Sequence, residues 1–269
     1  MGKIRYRVSD HTFVICAYQE SPYLEECIRS VLHQSNLGNV LIATSTPNQH
    51  ILLLGKKYHL PVRIRKTPER GIAEDWNFAL FCAETPLVTI AHQDDVYGRH
   101  YTEEIIRMAN QCSHPLLLFT DYAELRNGTT VTSNRLLRVK RLLLMPLMLR
   151  SLWGSIFVRR RILSLGSAIC CPAVTLCLKN VEIPVFENNM QSNIDWQAWE
   201  RISRQKGEFA YIGRPLMKHR IHEGSTTTGM LEENARKEED LIMYRRFWPA
   251  AFAAILEKYY QSAEKSNNL

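Results

Sequence analysis

Short apolar runs of strand type alternate with segments of helical period through the first half of this 269-residue chain, and that alternation restricts the fold more than any single motif. Thr12–Ala17 (TFVICA) reads as a buried strand; Tyr23–Gln34 then carries Leu24, Cys27, Ile28, Val31 and Leu32 at helical spacing. Strands at Val40–Thr44 and Pro61–Ile64 flank a helix at Ile51–Tyr58, and a helix opening at Gly71 precedes strands at Leu87–Ala91 and Leu116–Tyr122. Such order predicts an α/β fold with a Rossmann-like, mostly parallel sheet and helices on both faces. Ligands of such sheets bind at the carboxyl ends of the strands, where Tyr18, Thr46 and the pair Asp94-Asp95 fall.

Two adjacent carboxylates at the end of a buried strand repel each other unless water or a cation neutralises them. A metal site is therefore the first expectation for Ile90–Tyr97 (IAHQDDVY).

Beyond Tyr122 the pattern changes. No acidic residue lies between Glu124 and Glu182, whereas Arg126, Arg135, Arg138, Lys140, Arg141, Arg150, Arg159, Arg160, Arg161 and Lys179 all do. Leu142–Met145 and Leu147–Leu149 are interleaved with these charges, which fits an anionic membrane surface, where apolar bulk enters the headgroup boundary and arginine meets phosphate. Nucleic acid is not expected, because only Trp153 and Phe157 supply aromatics there. A strand or helix is expected around Cys170–Leu178, a helix at Asp195–Lys206, and further helix from Glu232 onward.

Composition excludes several classes: 45% apolar and 23% charged residues are those of a globular protein, and no apolar run reaches the roughly 18 residues of a spanning helix. Seven cysteines without CxxC spacing read as small buried hydrophobes, and the basic start of the chain does not lead into a signal-peptide core. The expectation is a cytoplasmic protein, peripheral at the inner face of the cell membrane, with self-association left open.

Ala17-Tyr18-Gln19-Glu20 after the first strand, the helix with Cys27–Gln34, Gly71–Ala79 (GIAEDWNFA), the acidic pair, Asp195–Arg201 (DWQAWER) and Arg220–Ser225 (RIHEGS) occur in one order. Together they resemble the family 2 glycosyltransferases, nucleotide-sugar-dependent enzymes of the GT-A fold, over residues 11–228. The resemblance implies a GT-A domain at 1–228, with a nucleotide-binding half at 1–125, a basic Leu-rich insertion at 126–164 and an acceptor half at 165–228. A C-terminal helical region at 229–269 follows. It implies an inverting transferase acting on a glycan or lipid-linked acceptor, in cell-surface polysaccharide synthesis, with Mn²⁺ or Mg²⁺.

Residue by residue, the resemblance makes Asp195 the catalytic base and Asp94, Asp95 and His222 the metal ligands. It places Ala17, Tyr18, Glu20, Thr46, Asp75, Asn77, Gln93 and Asp94 at the nucleotide. His92, His219 and Arg220 are expected at the diphosphate or sugar, and Trp196 and Trp199 at the acceptor; Glu200 is expected on a solvated helix face. Two positions depart from the family pattern: His92 stands where the first acid of the metal motif belongs, and Thr44–Asn48 lacks the acid that reads uracil in many relatives. The rival readings are a nucleotidyltransferase of similar fold, which would open with a Gly-rich basic phosphate loop that Tyr18–Ser21 lacks, and a non-catalytic glycan- or membrane-binding adaptor, favoured by His92 alone.

Overall fold

The first apolar run becomes β1 (His11–Ala17), a central strand covered on both faces and therefore apolar almost throughout. The computed structural model describes residues 5–67, 71–222 and 230–265, without the side chains of 230–235 and 259–265. α1 (Leu24–Leu32) lays Leu24, Cys27, Ile28 and Val31 on the sheet as one buried stripe. β2 (Asn39–Thr44), α2 (Gln49–Lys57) and β3 (Val62–Ile64) follow. Asn48 starts α2 by accepting the Ile51 N–H at 3.0 Å, so this turn residue is a helix cap. α3 (Ile72–Phe81) begins after Gly71, where φ is +136° and a Cβ would lie 2.7 Å from Asn188 Oδ1, so only glycine fits.

Next come β4 (Leu87–His92), β5 (Val96–Tyr97), α4 (Tyr101–Ala109), β6 (Pro115–Arg126) and β7 (Thr129–Val131). The insertion folds as α5 (Arg135–Leu144) and α6 (Ile156–Leu163). β8 (Val174–Cys177), α7 (Ile194–Ile202), β9 (Glu208–Ile221), α8 (Met230–Arg245) and α9 (Ala250–Lys265) complete the order.

One sheet runs β3-β2-β1-β4-β8-β6-β9-β5, with β7 on β6. β3, β2, β1 and β4 are parallel; β8 is antiparallel to both β4 and β6, and β9 is parallel to β6. Ala17 pairs with Thr44 and Cys16 with His92, so the chain leaves β1, β2 and β4 at one level of the sheet. That level is where the site forms.

Three expectations are corrected here. The segment 208–221, read without a strand and with Arg220–His222 as a loop, is the 14-residue β9. Gly213 and Pro215 interrupt its alternation, and the ladder shifts register there, between the Thr120 and Asp121 pairings. Glu223–Ser225 of the expected loop lie outside the described residues.

Secondly, Glu200 is buried and not solvated. It meets Arg160 at 2.8 Å, Arg204 at 2.7 Å and Arg246 at 3.3 Å. Burial alone would raise its pKa, but Arg160 and Arg204 outweigh burial and hold the carboxyl below the usual glutamate value.

Thirdly, much of the basic stretch serves the interior. The guanidinium of Arg159 is buried, donates to the carbonyl oxygens of Ser203 (2.8 Å), Gly207 (2.5 Å) and Gln205, and lies 4.8 Å from the Phe209 ring centroid. It fixes the end of α7, and burial pulls its pKa down to about 10.

Candidate active site

The β1, β2 and β4 ends are tied together by amide and hydroxyl side chains. Gln93 accepts the Tyr18 N–H at 2.9 Å and donates to the Tyr18 carbonyl at 3.0 Å. Gln19, at φ 54°, donates its N–H to Thr46 Oγ1 at 2.5 Å, and Asn48 donates to the Gln19 carbonyl at 2.9 Å. This lattice leaves Tyr18 and Glu20 exposed and Ala17 buried beneath them. Thr46 and Gln93, expected at the nucleotide, thus shape the loop that bears Tyr18.

α3 supplies the neighbouring wall. Asp75 is ion-paired to Arg65 at 3.0 Å, a partner that sequence reading missed because it lies ten residues back, beyond β3. Asn77 is corrected: its amide donates to the Phe186 carbonyl (2.7 Å) and accepts the Phe186 N–H (3.1 Å), which uses both ends of the side chain inside the protein. Trp76, between them, stacks on His92 with ring centroids 5.0 Å apart and planes at 17°. Burial lowers the His92 pKa against the opposing charges of Asp95 and Asp94, and its Nε2 has no partner among the described residues.

Pairing of β5 with β9 sets Val96 opposite Lys218 and brings the acidic pair beside His219, Arg220 and His222. The two acids then play different parts. Asp94 presents Oδ2 to His222 Nε2 at 3.1 Å, near the surface. Asp95 is 0% exposed, and its Oδ1 accepts from His219 Nδ1 at 3.0 Å and from the Arg220 N–H at 2.9 Å. Asp95, expected as a metal ligand, is a buried buttress through Oδ1, while its Oδ2 has no hydrogen-bond partner among the described residues. Burial would depress His219, but Asp95 and then Asp94 outweigh it and hold the imidazole above its ordinary pKa.

Arg220 is likewise corrected. Its guanidinium donates to the Asp94 carbonyl (2.8 Å) and Glu26 (2.5 Å) and lies 4.3 Å from the Tyr23 ring centroid, so it braces the acidic pair from behind instead of facing a diphosphate.

Among the described residues no three His, Cys, Asp or Glu side chains converge tightly enough to hold a metal ion by themselves. Asp94 and His222 bring one hard oxygen and one borderline nitrogen within 3.1 Å of each other, a pair of donor types compatible with Mn²⁺.

Asp195 stands in the first turn of α7, where helix N-terminal charge favours a carboxylate, and accepts the Trp196 N–H at 2.7 Å. Burial raises its pKa, opposed by that N–H and by the charges of Lys140 and Arg236. Burial also pushes up the Cys170 thiol, which the charge of Lys140 opposes and the charges of Asp95 and Asp195 reinforce. Lys140, from α5, donates to Tyr122 Oη at 3.1 Å, and Tyr122 faces His219 edge-on. Nothing in the sequence marked Lys140, among the ten basic residues of the stretch, as one that reaches Tyr122 and whose charge acts on Asp195.

Trp196 and Trp199, expected at the acceptor, are core residues. Trp196 donates Nε1–H to the Leu163 carbonyl at 2.9 Å and packs edge-on against Tyr244 of α8, and Trp199 packs against Phe186. Their helical spacing is that of a buried stripe.

The segment before α7 is clamped from the C-terminal region. Glu239 of α8 accepts the N–H groups of Gln191 (2.6 Å), Ser192 (2.8 Å) and Asn193 (2.9 Å), and Asp240 accepts from Asn193 Nδ2 at 2.7 Å. Glu239→Ala strands three N–H groups beside the turn that carries Asp195, at an expected cost of about 3 kcal/mol. Urea unfolding should show the loss; parent-level stability would contradict the clamp.

Comparison with known proteins adds to this geometry. The family model described as Glycosyl transferase family 2 matches residues 12–167. No curated protein matches the chain. Among solved structures, S. aureus TarS 1-349 in complex with UDP-GlcNAc is similar at 14% identity and a TM-score of 0.65, over 95% of this chain and 72% of that one. The mannosyltransferase PcManGT from Pyrobaculum calidifontis, in complex with GDP-Man and Mn²⁺, is similar at 14% identity and a TM-score of 0.57, over 95% and 68%. At such identities the likeness is one of fold.

Proposed function

The chain belongs to glycosyl transferase family 2, and from that premise we propose that it transfers a sugar, with inversion, from a nucleotide-sugar donor to a glycan or lipid-linked acceptor in cell-surface polysaccharide synthesis. The observation that carries this reading is the Asp94–His222 pair at the strand ends. The donor complexes of the two similar structures support the donor class, and the Mn²⁺ of one supports a divalent cation.

Each residue has a role in this chemistry. The nucleoside lies against Tyr18, with Asp75 and Glu20 in reach of its sugar hydroxyls. Asp94 and His222 would hold the cation, which when bound would supply positive charge to the departing diphosphate. His219, whose protonated form Asp95 favours, stands behind them. His92, neutral and stacked on Trp76, offers a nitrogen to a sugar hydroxyl. Asp195 takes the proton of the acceptor hydroxyl as its oxygen bonds to the sugar carbon, on the face opposite the breaking bond to the diphosphate.

No described helix is long and apolar enough to cross a membrane. For a lipid-linked acceptor, the enzyme works as a peripheral protein at the anionic inner face of the membrane. A thermal-shift panel of nucleoside diphosphates with and without Mn²⁺ tests the donor side, since a ligand of the native state alone raises stability by RT ln(1 + [L]/Kd). Stabilisation by at least one nucleotide, greater with Mn²⁺, is expected; a flat panel would contradict it.

A further inference from the structure

We propose that Tyr23, at the start of α1, is a positioning residue for His222, and that this end of α1 holds the Asp94–His222 pair at its working spacing. The proposal rests on the reading of that pair as the cation site of the transferase.

His222 needs a holder because the sheet does not supply one. The ladder between β6 and β9 ends where Arg126 pairs with Ile221, so His222 is the first residue beyond it. Its side chain turns about two torsions, and the meeting of Nε2 with Asp94 Oδ2 at 3.1 Å requires one setting of both. The Tyr23 ring lies against the imidazole, with centroids 5.0 Å apart and planes inclined at 54°. That contact limits the swing of the imidazole away from Asp94.

Tyr23 is itself fixed. The guanidinium of Arg220 lies 4.3 Å from its ring centroid, a cation–π distance, and donates to Glu26 at 2.5 Å. Tyr23 and Glu26 are three positions apart, neighbours on one helix face, so α1 grips this arginine with a ring and a carboxylate together. The grip passes on to the acid. Arg220 Nε donates to the Asp94 carbonyl at 2.8 Å, and only 9% of the arginine side chain is exposed, so water competes little for these bonds. One helical turn therefore holds the backbone of Asp94 through Arg220 and the imidazole of His222 through Tyr23.

Both contacts of Tyr23 are made by its ring, so phenylalanine keeps them and an aliphatic side chain does not. Groups that orient a metal-binding histidine change metal affinity about tenfold or more when removed. A tyrosine that is merely packed would support stability and leave cation affinity alone.

Mn²⁺ affinity read by electron paramagnetic resonance on the full chain, with Mn²⁺ alone and with UDP or GDP added, separates the two. Tyr23→Phe is expected to bind Mn²⁺ within about twofold of the parent, and Tyr23→Leu on the order of tenfold more weakly, with a metal-free thermal midpoint near the parent's. If Tyr23→Leu does not fold, Tyr23→Met takes its place with the same expectation. An aliphatic variant that binds Mn²⁺ like the parent, or a phenylalanine variant as weak as the aliphatic one, overturns the positioning role. Asp94→Asn is titrated beside them. Binding that Asp94→Asn abolishes and Tyr23→Leu spares keeps the cation reading and removes Tyr23 alone. A parent that binds no Mn²⁺ under any of these conditions removes the cation reading, and the role of Tyr23 falls with it.

Discussion

Asp195→Asn is expected to lower sugar transfer by roughly 10²-fold or more while nucleoside diphosphate affinity stays at the parent's value, the signature of a lost proton acceptor. The parent's own pH profile reports the same group. Burial raises the Asp195 pKa above the ordinary 3.8. Transfer should therefore fall as pH drops through a value above the usual aspartate range, where the protonated carboxyl no longer accepts a proton. Lys140 and Arg236 restrain that rise, so Lys140→Met should move the acidic limb to still higher pH. A mutant that transfers sugar at the parent's rate, or an acidic limb that Lys140→Met leaves in place, would put the base elsewhere.

Asp94→Asn should remove Mn²⁺-dependent nucleotide binding. The substitution deletes the outward charge of the acidic pair and no core volume, and a ligand carboxylate of this kind is worth several kcal/mol of charge stabilisation at the transition state. The fold should survive, because the bonds that fix β5 to β9 run through Asp95 and the Asp94 carbonyl, not the Asp94 carboxylate. Calorimetry that finds Mn²⁺-dependent binding unchanged in the mutant would take Asp94 out of the site. Asp95→Asn is the contrasting case, since it disturbs a buried carboxylate bonded to His219 and Arg220.

The parallel half of the fold was legible because β1 and β4 are covered on both faces and must read as apolar runs, while α1 announces itself by period. β9 was not legible. Its polar residues Arg214, Lys218, His219 and Arg220 answer to the acidic pair and to α4, partners distant in sequence, and its bulge at Gly213–Pro215 breaks the alternation. The site shows the same division. Both adjacent acids read as metal ligands in the sequence, whereas the fold turns Asp94 toward the surface and Asp95 inward. Ten basic residues read as one patch, yet Arg159 caps a helix end, Lys140 turns to the Tyr122 hydroxyl and Arg138 is exposed. Composition records charge, but only packing decides which way a long side chain runs.

Release of nucleoside diphosphate from a panel of nucleotide sugars, measured with and without Mn²⁺ on the parent and on Asp94→Asn, bears most directly on the proposed chemistry. The expected result is release from at least one donor, dependent on Mn²⁺ and lost in the mutant. Release that the mutant sustains at the parent's level, or no release from any donor in the panel, would contradict a transferase working through Asp94.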